Sequence, residues 1–157
     1  MAASEGAQKP EVWFYHLRTS ALEAALPRLI ERALAGGARV VVRTASVERL
    51  DALNRAFWTY DPGSFLAHGG PDDGAGAEQP VYLTTGRDNP NGAGVLVLVD
   101  GVEPQNLDGY GRCLDMFDGG DAEALEAARR RWQALKDQGY ALSYWQQGED
   151  GRWQQRD

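Results

Sequence analysis

Two strand-then-helix units follow one another in the first sixty residues, and that alternation leaves few folds open. The first strand, Glu11–Leu17, is almost continuously apolar. Behind it, Leu22, Ala25, Leu26, Leu29, Ile30, Ala33 and Leu34 recur at helical spacing and stop at Gly36-Gly37. Ser20 with Glu23 three residues later matches a capping box, and Pro27 inside the pattern predicts a kink or a second start. The second unit is Arg39-Val-Val-Val-Arg43, then Ser46 as a helix cap before Val47, Leu50, Leu53 and Phe57. A β-branched run bounded by charges is what a strand covered on both faces looks like. Such a series predicts a parallel sheet with right-handed crossovers and helices on both faces.

The remaining chain continues the pattern. Val81–Thr84, Val95–Val99, Arg112–Phe117 and Tyr140–Gln147 read as strands, with Val95–Val99 the most central. Asp121 caps a last helix that runs to Gln138 and ends at Gly139. Residues 69–79 and 86–94 are Gly-, Asp- and Pro-rich loops, and 102–110 is read as a short helix against its glycine content. The expected organisation is a loose N-terminal end over 1–10, one α/β domain over 11–147 and a polar tail over 148–157.

This fold class invites a nucleotide, but the turn after the first strand, Leu17-Arg18-Thr19-Ser20, has no glycine to let backbone approach a phosphate. No cofactor is expected. Cys113, His16 and His68 are widely separated and give no metal-ligand spacing. Cys113 inside an apolar strand reads as a small hydrophobe, His16 as a satisfied histidine at a strand end, and His68 as a brace for its loop. No catalytic constellation emerges. A net charge of −7, from 23 acidic and 16 basic residues, argues against a broad nucleic-acid surface. One cysteine fits a reducing cytoplasm, and no apolar run is long enough for a membrane span.

Two features remain for a partner. Trp58, Tyr60 and Phe65 place three large aromatics within eight residues of loop, for burial on the core or display at an interface. The last helix carries Leu125, Ala128, Trp132 and Leu135 as one apolar stripe, flanked by Arg129, Gln133 and Lys136; Arg130 points outward and Arg131 lies on the opposite flank. A cation row beside apolar surface suits a peptide bearing carboxylates and an apolar end group, although cations late in a helix also serve its dipole.

The stretch Glu48-Arg-Leu-Asp-Ala-Leu-Asn-Arg-Ala-Phe-Trp-Thr-Tyr-Asp-Pro-Gly-Ser-Phe-Leu-Ala-His-Gly69 resembles the chi subunit family of bacterial DNA polymerase III. So do Phe14–Leu17, Gln79–Thr84, Asn91–Ala93 and Ala127–Gly139, in order along nearly the whole chain. Ala67 stands where that family usually has proline, and the tail after Trp145 is absent from some members. The resemblance implies a non-catalytic subunit that binds the acidic, aromatic-ended C-terminal tail of single-stranded-DNA-binding protein. It places Arg129 on the family's key arginine, within Ala128-Arg129-Arg130-Arg131-Trp132, and Gln133 where a lysine is common; Lys136 lies on the same flank. It also implies a psi subunit, linking to the clamp loader, docked around Trp58 and Phe65; Tyr60 is added to that surface from its expected exposure in the same loop, not from the resemblance. A doubly wound nucleotide-binding protein or enzyme, and a module serving a repair helicase, are the alternatives.

Overall fold

The computed structural model describes residues 9–59, 68–69 and 79–156, with the end of the second helix and the pair 68–69 described by backbone alone. The strands among the described residues are β1 (Glu11–Leu17), β2 (Val40–Arg43), β3 (His68–Gly69), β4 (Val81–Thr84), β5 (Val95–Leu98), β6 (Arg112–Asp118), β7 (Leu142–Gln147) and β8 (Trp153–Arg156). The helices among the described residues are α1 (Leu22–Ala35), α2 (Val47–Thr59) and α3 (Ala122–Asp137). All eight strands form one sheet in the order β3-β4-β2-β5-β6-β1-β7-β8. Every pairing is parallel except the last, β7 with β8. The chain is a single α/β domain, as the alternating pattern predicts.

Strand alternation sorts the core into two layers. Tyr15 and Leu17 of β1 face α1 and α2, packing with Leu26, Ile30, Leu53 and Phe57. Val12 and Phe14, their neighbours in sequence, face α3 and pack with Cys113, Ala128 and Leu135. Burial holds the Cys113 thiol well above its usual pKa, so it behaves as a core side chain. Ser46 caps α2 as expected, its hydroxyl accepting from Arg49 N at 3.2 Å. Asp121 caps α3 through the N–H groups of Glu123 and Ala124.

Three expectations are corrected. The cap of α1 is Ala21, without a side-chain bond, and Ser20 does not form the capping box with Glu23. Instead the Gln147 side chain reaches over from β7. Its Oε1 accepts from the backbone N–H groups of Arg18, Thr19 and Ser20 at 3.1, 2.9 and 3.0 Å, and its Nε2 donates to Ser20 Oγ at 2.9 Å. Helix α1 then runs unbroken past Pro27. Second, residues 102–110 are not helical: Asn106 and Gly109 take φ of 56° and 93°, which a right-handed helix excludes. Buried Arg43 pins that segment to the sheet by donating to Gln105 O at 2.6 Å. Third, the polar tail contains a strand. Gly148 N donates to Arg152 O at 2.8 Å across the turn, and β8 returns antiparallel along β7 with Gln147 opposite Trp153.

Candidate functional site

Helix α3 packs on the sheet through its apolar stripe and, among the described residues, adds one buried ion pair to that contact. Arg131 points inward and grips Asp115 of β6 with both ends of its fork, Nε to Oδ2 at 2.7 Å and Nη2 to Oδ1 at 2.9 Å. The sequence places Arg131 on its own flank, and the structure buries that flank, leaving its side chain 5% exposed and that of Asp115 2%. Helical periodicity then turns Arg129 and Arg130 outward. Both share Glu126, at 4.0 and 3.8 Å, with side chains about 70% exposed. Exposed pairs of this kind hold their partners weakly, so Arg129 can exchange Glu126 for an incoming anion at little cost.

Arg129 stands on the wall of a groove of about 490 Å³ between α3 and the β7–β8 edge. Phe117, Leu125, Ala128, Trp132 and Tyr144 give it an apolar floor, and Arg129, Gln133 and Arg156 its polar rim. Three of the four residues singled out on α3 therefore meet here. Lys136, the fourth, is exposed further along the helix and does not line the groove. Gln133 is turned along the helix, its Nε2 donating to Asp137 Oδ1 at 2.9 Å.

The floor is rigidly packed. The Trp132 ring meets Phe14 edge-on at 5.3 Å and Tyr144 at 5.8 Å. Tyr144 Oη lies 2.6 Å from His16 Nδ1, and the His16 ring is 5.2 Å from Phe117. Burial, reinforced by the cations of Arg18 and Arg129 and opposed by Asp118, lowers the His16 pKa, so the imidazole under the groove is neutral at pH 7. Burial raises that of Tyr144, keeping its phenol protonated. Gly119 closes this corner: a Cβ there would sit 1.8 Å from His16 Nε2. A neutral, aromatic floor with guanidinium groups on its rim can take an apolar side chain and an adjoining carboxylate together.

A second crevice, about 660 Å³, opens at the ends of β1 and β6. The chain leaves β1 toward β2 and leaves β6 toward β7 on the other side, so this is the switch point where doubly wound folds hold nucleotides. Its chemistry is set against phosphate. Glu23, Asp100, Asp118, Asp121 and Glu123 line it, and its Arg49 is already bound to Glu23 at 3.1 Å and Asp100 at 2.9 Å. The N–H groups after β1, which would cradle a phosphate, are taken by Gln147. Among the described residues no group of three or more His, Cys, Asp or Glu is arranged to hold a metal ion.

Of the aromatic loop, the Trp58 side chain, Tyr60 and Phe65 lie outside the described residues, as does the His68 side chain. Sequence reasoning missed Phe117, Tyr144 and Arg156 as groove residues. Signals for them existed: Gly148-Glu-Asp-Gly151 before Trp153 is a hairpin turn between two strand-like runs. Asp115, a charge within an apolar strand, likewise required a buried partner.

A family model described as DNA polymerase III chi subunit, HolC, matches residues 10–143. A protein of Rickettsia prowazekii (strain Madrid E), named "Probable DNA polymerase III subunit chi", is 36% identical over 85 residues. That alignment takes in 54% of this chain and 52% of the other, so the chain spans about half the length of the curated relative it matches. The family match covers Arg129, Trp132 and Gln133 and stops one residue short of Tyr144.

Proposed function

Because the chain belongs to the DNA polymerase III chi subunit family, we propose that it is a non-catalytic replication subunit whose α3 groove binds the C-terminal tail of single-stranded-DNA-binding protein. In this role it tethers the polymerase assembly to DNA coated by that protein, in the cytoplasm. The observation that carries the proposal is the position of Arg129: a weakly held guanidinium on the rim of an aromatic groove in an otherwise acidic chain. An acidic peptide ending in phenylalanine complements both parts, its ring on the floor formed by Trp132 and Tyr144 and a carboxylate on Arg129. Lys136, outside the lining, adds only longer-range attraction. The contact to a psi subunit and through it to the clamp loader rests on the family resemblance at Trp58 and Phe65, to which Tyr60 is added as a further aromatic of the same loop. No helix among the described residues is long and apolar enough to cross a membrane.

Calorimetric titration with an acidic, phenylalanine-ended peptide tests the tether. Arg129→Ala is expected to lose about 1.5–3 kcal/mol of binding, as for a hydrogen bond to a charged group. Lys136→Ala should lose less, because an ammonium acts as a point charge while guanidinium can bind a carboxylate bidentately. Equal affinities for the wild type and Arg129→Ala would end the assignment at this site.

A further inference from the structure

The groove has two walls, and the second comes from a strand that lies beyond the family match. Register fixes what β8 presents. Trp153 is opposite Gln147, and its ring packs edge-on against Tyr15 at 4.9 Å, on the sheet face covered by α1 and α2. Side chains alternate along a strand, so burying Trp153 on that face sends Arg156 to the other. There it is paired directly with Tyr144, which belongs to the floor of the groove. A slip of one residue would turn Arg156 away, and the Trp153 contact opposes that slip.

We propose that Arg156 is a second anion-binding side chain of this groove, so that the groove selects a peptide end bearing at least two carboxylates, one for Arg156 and one for Arg129. This rests on the peptide-binding reading above and deepens it. Arg129 and Arg156 both line the groove, the first from α3 and the second from β8. Their present partners are replaceable: Arg129 has exposed Glu126 at 4.0 Å, and Arg156 Nη2 donates to the neutral amide oxygen of Gln154 at 3.1 Å. Gln133, the remaining polar group of the rim, is neutral and turned to Asp137. Two guanidinium groups around one apolar floor repel each other and are relieved when each gains an anion. A ligand with a single carboxylate leaves one of them uncompensated. An acidic side chain next to a free terminal carboxylate supplies both charges.

The test uses the full chain and four versions of one short peptide. The peptide ends Ser-Asp-Phe with a free carboxylate and carries no other acidic group; the others carry a terminal amide, Asn in place of Asp, or both changes. Arg156→Ala is expected to weaken the parent peptide about ten-fold at low salt and to flatten its salt dependence, with Arg156→Lys between. Against peptides keeping only one type of carboxylate, one of the two substitutions, Arg129→Ala or Arg156→Ala, should become nearly silent. Unchanged thermal midpoints would show that β8 is intact in each variant. Wild-type affinity of Arg156→Ala for every peptide overturns the inference, while a loss confined to Arg129→Ala leaves the tether standing. Failure of the wild type to bind any of the four overturns both.

Discussion

Replacing Arg131 with alanine isolates what holds the groove helix in place. The substitution leaves the Asp115 carboxylate, 2% exposed, without the fork that meets it at 2.7 and 2.9 Å. Removing one partner of a buried pair costs about 3–5 kcal/mol, against roughly 0–1 for an exposed pair such as Arg130–Glu126. For a chain of this size, each kcal/mol shifts the midpoint by about 2–4 °C, so a fall of about 6–20 °C is expected. The effect should also depend on pH in a particular sense. Burial already pushes the Asp115 pKa up, against the pull of Arg131. Once Arg131 is gone the carboxyl has little reason to stay charged, and a protonated acid needs no cation. The stability deficit of Arg131→Ala should therefore shrink as pH falls. A double variant, Asp115→Leu with Arg131→Met, should recover most of the loss, because apolar groups of similar volume remove the buried charge altogether. Urea denaturation of the wild type, Arg131→Ala and the double variant across the acidic range reads all three effects. A deficit under about 1 kcal/mol, or one that widens on acidification, would refute the reasoning.

Other perturbations probe the supports around that helix. Gln147→Ala strips the acceptor from three backbone N–H groups and should cost about 1–3 kcal/mol by chemical denaturation, with Gln147→Glu, which keeps an acceptor, losing less. Gly119→Ala forces a Cβ to within 1.8 Å of His16 Nε2 and should cost about 1–3 kcal/mol. Adding His16→Ser should return part of that, so that the two changes together cost less than their sum. The folded-state pKa of His16 is lowered, so the unfolded chain binds the proton more readily. Its contribution is thus present above the unfolded value of about 6.5 and is lost as pH falls through the folded value. His16→Gln should flatten the decline in stability seen on acidification, and an unchanged profile would remove His16 as its source.

Much of the layout was legible because it follows from short-range pattern. The apolar runs at β1, β2, β4, β5, β6 and β7 and the stripes of α1, α2 and α3 lie where periodicity puts them, and Ser46 and Asp121 cap as their chemistry demands. Two of the failures turned on a partner distant in sequence, whereas β8 follows β7 through the local turn at 148–151. Ser20 does not cap α1 because Gln147, 127 residues away, serves the N–H groups before the helix. Residues 102–110 stay irregular because left-handed backbone at Asn106 and Gly109 stops a helix and Arg43 supplies a side-chain tie. In the groove, Arg129, Trp132 and Gln133 were found from one helix, whereas Phe117, Tyr144 and Arg156 come from three strands, of which only β7 and β8 are joined by a turn that a local pattern reveals.

The position of β1 has a consequence for how the chain is made. Its two sheet neighbours are β6, starting at Arg112, and β7, starting at Leu142, whereas β2, β4 and β5 find one another within residues 40–98. During synthesis, at about 5–20 residues per second, β1 emerges about 5–20 s before the strand that pairs with it. For that interval Val12-Trp-Phe-Tyr-His-Leu17 is an apolar segment with both edges open, the condition in which strands pair with the wrong chain. A nascent chain stopped before Arg112 would contain every partner of β2 and none of β1. The ribosome-bound protein should therefore engage chaperones through its first strand and release them only as the last third of the chain arrives.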